Sequence, residues 1–210
     1  MLNNKLKQHI TDAIAAEQHC QKFTQEMRRF SENRHPAINL PETNPGQSLT
    51  EFVTKYVAQV PTSLAAMEKA LIKAKTQTLI LAIIKITEDF FFKPPLILSQ
   101  GHHLKGLMEA AYLSHRLIEE VNDRYMAQTT MPLIPVDMLT ANLVVHNLIG
   151  EPFVNQLDDF CFKLAKVLIN PEHSAPQTIM AAKQVLWTHT WQHWSEALEE
   201  KEISIDLPQK

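Results

Sequence analysis

Glycine is scarce in this sequence. Four glycines occur in 210 residues, whereas an average usage of roughly 7 % would give about 15. Phosphate-binding loops and tight hairpins depend on glycine, because its backbone adopts conformations that other residues avoid. Neither G-x-G-x-x-G nor G-x-x-x-x-G-K-[ST] occurs in the chain, and these signatures mark two large classes of nucleotide-binding protein. The sequence therefore gives no support for a nucleotide-binding enzyme.

Cysteines and long apolar runs are also few. The two cysteines, Cys20 and Cys161, make neither a disulfide framework nor a zinc-binding set. The most apolar window, residues 78–86, is interrupted by Lys85 and is far shorter than the roughly 20 residues that span a bilayer. No apolar stretch follows the lysines of the first ten residues, so a signal peptide is not predicted. We therefore expect a cytoplasmic protein without a membrane span.

Neither sign of charge dominates. The chain has 20 Lys and Arg residues and 23 Asp and Glu residues, a net charge of −3. Proteins that coat nucleic-acid phosphates carry a clear basic excess, so no nucleic-acid partner is expected. The H-E-x-x-H motif is absent, and no Ser/His/Asp or Cys/His pattern of recognisable local form occurs. We predict no catalytic residue and no cofactor-binding motif.

Helical periodicity is what the sequence does contain. Apolar residues recur at spacings of three and four along most of the chain, which is typical of amphipathic helices. Strand-like alternation is confined to residues 203–207. We predict an all-α protein, a single-domain bundle of about six to eight helices with no substantial sheet.

The domain is predicted to cover residues 1–202. A proline-containing loop at 33–47 and a short tail at 203–210 are the expected irregular segments. The remaining boundaries come from proline, glycine and capping residues. The predicted helices cover residues 2–30 without a break, 48–60, 62–92 with a kink near 75–76, 102–127, 137–150, 152–169 and 176–201.

Two of these boundaries depend on single residues. Ser48 is followed three residues later by Glu51, the spacing of a capping box, and is therefore predicted to begin a helix. Pro61 is predicted to end that helix, because proline lacks the backbone N–H that an interior position requires.

Three polar residues lie among apolar ones on the helix predicted at 102–127. On a helical wheel, His115, Glu119 and Asn122 fall within about 60° of one another and share that arc with leucine, methionine and alanine. The solvated face is predicted on a different side of the helix. That face holds Lys105, Glu109, Arg116, Glu120 and Asp123.

The next helix shows the same feature more weakly. Asn142 and His146 are about 40° apart on its wheel and are flanked by leucine and isoleucine. A short connector joins the two helices, which favours antiparallel packing. Such packing would bring His115, Glu119 and His146 together.

Two interpretations of these residues remain open. A buried carboxylate is costly unless it has a partner, so Glu119 requires a hydrogen-bond donor or a cation. In the first interpretation, a buried polar network stabilises the helix register. Its members are His115, Glu119, Asn122, Asn142 and His146. In the second, His115, Glu119 and His146 bind a transition metal inside the bundle.

A cluster of aromatic residues occurs near the carboxyl end. Trp187, Trp191 and Trp194 share one face of the helix predicted at 176–201, and His189 and His193 lie on the opposite face. Three tryptophans are costlier to expose than two histidines. We predict buried tryptophans and exposed histidines.

Two functions follow as expectations. The first is an adaptor, regulator or chaperone-like protein that acts through helical surfaces, with a protein partner or with a second copy of itself. The second is a metal-binding bundle or metal-dependent enzyme built on His115, Glu119 and His146.

Overall fold

The structure is a computed structural model of the chain. It describes residues 2–71, 77–98, 103–130, 132–133, 138–169 and 200–205. Seven helices and two short strands occur in this part of the chain. In order they are α1 (Leu2–Cys20), α2 (Lys22–Glu32), β1 (Ile38–Asn39), α3 (Pro45–Leu71), α4 (Gln77–Phe92), α5 (Leu104–Thr129), α6 (Leu139–Ile149), α7 (Phe153–Leu168) and β2 (Ser204–Ile205).

The predicted all-α class is confirmed. The two strands form one small antiparallel sheet, in which Ile38 pairs with Ile205 and Asn39 with Ser204. The sheet joins residues 204–205 to the loop after α2. The alternation at 203–207 predicted an extended segment but not its partner. No helix of the described residues is long and apolar enough to cross a membrane.

The prediction of one unbroken helix over residues 2–30 is wrong. The backbone of Gln21 adopts the left-handed conformation, with φ 50°, and separates α1 from α2. Glu17 stabilises this elbow because its Oε1 accepts hydrogen bonds from the Thr24 backbone N at 3.0 Å and from Thr24 Oγ1 at 3.2 Å. The first of these bonds satisfies a backbone N–H that the first turn of a helix leaves without an intrahelical partner.

The predicted limits of α3 are also wrong. The helix begins at Pro45, where a proline is favoured because its φ is already helical, and Ser48 therefore lies inside the first turn. At the other end, Pro61 lies within the helix. Val57 and Val60 beside it are fully buried, so apolar packing offsets the roughly 3 kcal/mol that an interior proline costs.

The other predicted boundaries agree more closely with the structure. The predicted helix at 102–127 is α5, and Gly150, with φ 81°, follows the end of α6 as predicted. The predicted kink near 75–76 falls in 72–76, outside the described residues. The predicted helix at 176–201, including the tryptophans and histidines, also lies outside them except for residues 200 and 201, which form a turn.

Helix α5 is the central helix of the fold. It packs against α1, α3, α4, α6 and α7, and it is therefore buried on more than one side. Glu109, which the wheel assigned to the solvated face, is 2 % exposed. The helical-wheel prediction for Glu109 is wrong because it was based on a helix with a single buried face.

Contacts across α5 give the directions of its neighbours. Asn142 at the start of α6 contacts Glu119, whereas the ring of His146 near its end is 6.4 Å from that of Tyr112. Helix α6 is therefore antiparallel to α5. Along α7, Asp158 meets Arg116 and Phe162 meets Arg124, so α7 runs in the same direction as α5.

Candidate functional site

The carboxylate of Glu119 lies where α5 and α6 meet. Its Oε2 accepts a hydrogen bond from Arg116 Nη1 at 2.6 Å and another from Asn142 Nδ2 at 2.7 Å. The Glu119 side chain is 17 % exposed. Two close donors, one of them charged, satisfy a carboxylate that is largely removed from water.

A second carboxylate completes the surroundings of Arg116. Asp158 of α7 accepts a hydrogen bond from Arg116 Nε at 3.0 Å and one from the Tyr112 hydroxyl at 2.9 Å, both through Oδ1. Its other oxygen is 3.5 Å from His146 Nε2. Arg116 therefore links α5 to α7 while Asp158 links α7 to α6.

Tyr56 extends this arrangement to α3. Its hydroxyl group donates a hydrogen bond to Asn142 Oδ1 at 2.7 Å, while the amide nitrogen of Asn142 donates to Glu119. One polar network thus connects four helices. Its members are Tyr56, Tyr112, Arg116, Glu119, Asn142, His146 and Asp158.

His115 is directed differently from Glu119. Its Nε2 is 3.1 Å from the backbone oxygen of Tyr56 and its ring packs edge-on against the Tyr56 ring at 4.6 Å. Because a carbonyl oxygen only accepts, Nε2 carries the proton in this bond. Burial lowers the pKa of His115 to about 4, so the ring is neutral near pH 7.

The charges of the polar network are set by burial and by the two carboxylates. Burial alone would lower the pKa of Arg116, but its hydrogen bonds to Glu119 and Asp158 outweigh burial and raise that pKa above its usual range. Burial and the adjacent Asp158 raise the pKa of Tyr112. Arg116 is therefore charged, and Tyr112 remains a protonated donor, near neutral pH.

The sequence-based candidates are thus divided between different partners. Glu119 and Asn142 are bonded directly, and His146 meets Asp158. His115 bonds to the backbone of α3, and Asn122 is a half-buried residue one turn beyond Glu119 on α5. Within the described ranges, no three His, Cys, Asp or Glu side chains are grouped so that they could hold a metal ion.

Sequence reasoning missed four members of the network. Tyr56, Tyr112 and Asp158 carried no signal, because each meets the others only through tertiary packing. Arg116 did carry one, because it precedes Glu119 by three residues, a spacing at which helical side chains interact. Its assignment to the solvated face ignored the length of the arginine side chain, which reaches sideways along the helix surface.

The chemistry of the network is that of a hydrogen-bonded connection between helices. Every interaction given above joins a donor to an acceptor, and the network contains no thiol or activated hydroxyl group. The nearby Cys161 is fully buried, and burial raises the pKa of its thiol, which disfavours the nucleophilic thiolate. In comparisons with family models, curated protein sequences and solved structures, nothing matches this chain.

Proposed function

We propose that this protein acts by binding a partner protein through a helical surface, as an adaptor, regulator or chaperone-like protein. The observation that carries the proposal is an uneven distribution of exposed apolar side chains. Among the described residues, seven large apolar side chains are between 42 % and 98 % exposed. Four of them lie at one end of the bundle.

These four residues define what we call the end surface. It consists of Met126, Leu139, Phe162 and Val167. Because α5 and α7 run in the same direction and α6 runs in the opposite one, the last turns of α5 and α7 lie at the same end as the first turn of α6. Apolar groups gathered in this way are a common mark of protein interaction sites.

Phe162 has the chemistry of an anchor residue for a partner. Its side chain is half exposed, and the guanidinium carbon of Arg124 is 4.3 Å from its ring centroid. Arginine and aromatic residues are enriched among the residues that contribute most to binding. Val167 in the last turn of α7 is 74 % exposed, and it presents a second apolar side chain at the same end of the bundle, about 140° around the helix axis from Phe162.

The charges beside these residues suggest the partner. Lys166 follows Phe162 by four residues and therefore lies beside it on α7, and no described residue forms an ion pair with it. Lys163 lies beside Val167 in the same way and pairs with Asp159. We propose that the partner is an amphipathic helix with carboxylates beside its apolar face. This helix would pack its apolar face against the end surface, as amphipathic helices do in hydrophobic grooves.

Two further observations support binding rather than catalysis. The polar network is bonded within itself, so its carboxylates are committed to Arg116, Asn142 and Tyr112. The near-balance of charge, at −3 overall, favours a protein partner over a nucleic acid. We place this binding in the cytoplasm, where free thiols such as Cys20 and Cys161 stay reduced.

Site-specific photo-crosslinking tests the proposal. A photoreactive phenylalanine analogue is placed at position 162 or 167 of the full chain and irradiated in cells of the organism that makes the protein. The matched control is position 81, because Leu81 on α4 is also about half exposed. Mass spectrometry of each adduct identifies the crosslinked segment.

The expected result is an adduct at positions 162 and 167, formed with an amphipathic helical segment that carries acidic residues beside its apolar face, and none at position 81. Lys166→Glu should weaken the adduct at position 162 without changing the free energy of unfolding. Equal labelling at position 81, adducts only with this chain itself, or no adduct at all would overturn the proposal.

A further inference from the structure

A separate cavity lies at the elbow between α1 and α2, beside the first turn of α5. Its volume is about 190 Å³, and its lining includes two carboxylates, two lysines and a histidine, together with Cys20 and Phe23: the charged or ionisable residues are Glu17, Glu26, Lys22, Lys105 and His103. We call it the elbow cavity. A space of this size accommodates a molecule of on the order of ten non-hydrogen atoms, which is smaller than most drug-sized ligands.

Two lysines, Lys22 and Lys105, line the elbow cavity. Lys22 is the first residue of α2 and Lys105 the second residue of α5, and neither helix has an acidic residue in its first turn. A cation is unfavourable at a helix N-terminus, where the helix dipole is already positive. Helix stability therefore does not explain why two lysines line the same cavity.

The two lysines differ in their partners. Lys105 forms an ion pair with Glu26 of α2, with Nζ to Oε2 at 3.2 Å. No ion pair joins Lys22 to another residue of the described ranges. Lys22 thus retains an ammonium group for an anion inside the cavity.

The elbow cavity also has a buried carboxylate. Glu17 is 6 % exposed. Among the described residues, both strong hydrogen bonds that it accepts come from Thr24 and go to Oε1, whereas the donor to Oε2 is the Cys20 thiol at 3.5 Å. A thiol is a weak donor, and a carboxylate oxygen accepts more than one hydrogen bond. Oε2 therefore retains capacity for a charged donor.

We propose that the elbow cavity binds a small zwitterion of the amino-acid class, whose ammonium group donates to Glu17 and whose carboxylate pairs with Lys22. The lining holds two carboxylates and two lysines, and because Lys105 pairs with Glu26, Glu17 and Lys22 are the charged side chains assigned to the zwitterion. The buried Phe23 adds an apolar side chain to the lining. Charged hydrogen bonds of this kind are the stronger ones. The site is separate from the end surface, and neither proposal depends on the other.

Cys20 provides a reporter for occupancy. It lines the elbow cavity and is exposed, whereas Cys161 is fully buried. A bound molecule should slow alkylation of Cys20 by iodoacetamide by a factor of about 1 + [L]/Kd, hence about tenfold at ten times Kd. Three probes are compared. L-alanine carries both charged groups, propionate carries the anionic group alone, and ethylamine carries the cationic group alone. Rates are measured by mass spectrometry of the Cys20 peptide.

We expect L-alanine to protect Cys20 saturably, and propionate and ethylamine to bind about tenfold more weakly or worse, because each lacks one charged contact. Two variants test the two contacts. Glu17→Gln keeps an oxygen that accepts from Thr24 and should weaken L-alanine binding about tenfold. Lys22→Met, at an exposed position, should do the same.

The controls are Glu32→Gln and Lys7→Met, at exposed positions outside the cavity, and both should leave the protection by L-alanine unchanged. Each variant is compared with itself, with and without the probe, so a change in intrinsic thiol reactivity cancels. Protection by propionate or by ethylamine equal to that by L-alanine would overturn the zwitterion proposal. So would protection by L-alanine that survives Lys22→Met, or the absence of protection by any probe.

Discussion

The imidazole of His115 donates a hydrogen bond from Nε2 to the backbone oxygen of Tyr56 at 3.1 Å, and this bond joins α5 to α3 in the interior. Both side chains are buried. The bond is compatible with a neutral ring, and protonation would place a positive charge in the buried interior, where burial disfavours it. The ionisation of His115 is therefore linked to the stability of the fold.

The free energy of unfolding should decrease as the pH falls below neutrality. Burial lowers the pKa of His115 to about 4 from 6.5, so the unfolded chain binds a proton more readily than the folded one between these values. The contribution of His115 to the free energy of unfolding is therefore fully present above its pKa in the unfolded chain. It is lost as the pH falls towards its pKa in the folded protein. We expect a loss of about 2 kcal/mol between about pH 7 and about pH 5.

Urea denaturation at the two pH values measures this loss. The His115→Gln variant should be less stable at neutral pH but should lose less of its stability on acidification. His19→Gln, at an exposed position of α1, should behave as the unmodified protein does. If His115→Gln retains the full pH dependence, the linkage assigned to His115 is incorrect.

Removing the charge of Glu119 should destabilise the fold without disordering it. In Glu119→Gln the side chain keeps an oxygen that can accept from Asn142, but Arg116 loses one of its two carboxylate partners. A hydrogen bond to a charged group contributes about 1.5–3 kcal/mol, and we expect a decrease of about 1–3 kcal/mol in the free energy of unfolding. Glu42→Gln, at an exposed loop position, is the control and should change stability by less than about 0.5 kcal/mol. A Glu119→Gln variant with an unchanged free energy of unfolding would show that Asp158 alone satisfies Arg116.

The bond between Tyr56 and Asn142 should appear as a coupling energy. Tyr56→Phe removes the hydroxyl group and leaves the buried Oδ1 of Asn142 without this donor, which should cost about 1–2 kcal/mol. In a double-mutant cycle with Asn142→Ala, we expect the two effects to be non-additive by about 1 kcal/mol. Additive effects in thermal or urea unfolding would indicate that the hydroxyl group contributes nothing through Asn142.

The start of α3 should not tolerate a larger residue at Gly46. A Cβ atom at this position would lie 2.8 Å from the backbone N and Cα of Arg28 in α2. Alanine is favoured over glycine in a helix by about 1 kcal/mol, but here α2 and α3 would have to separate, and we expect Gly46→Ala to be destabilising by about 1–3 kcal/mol. Gln47→Ala, exposed in the same turn, is the matched control. A Gly46→Ala variant with an unchanged or raised urea midpoint would contradict the close packing of α2 on α3.

The helical class and several helix limits could be predicted from the sequence, because they depend on residues close together in the chain. The apolar spacing of α5 and the end of α6 at Gly150 are examples: the residues that decide them lie within one or two turns. The wheel also separated Glu119 from the charged face, since the position of a residue around its own helix depends only on the helical repeat.

The partners of these residues were decided by tertiary structure. Asp158 reaches Arg116 because α7 runs beside α5, and Glu17 caps α2 because the chain bends at Gln21. Neither distance follows from spacing along the chain, since helix directions and loop paths determine which side chains meet.

The same reason explains where local rules failed. Pro61 should end a helix by its own chemistry, yet α3 continues through it, because buried contacts on both sides contribute more than one lost hydrogen bond costs. The sequence by itself determined that this protein is a helical bundle with buried polar positions. Only the packing of helices around α5 decided that Glu119 binds an arginine and an asparagine and that His115 bonds to the backbone of α3, because each of these contacts joins groups brought together by the path of the whole chain.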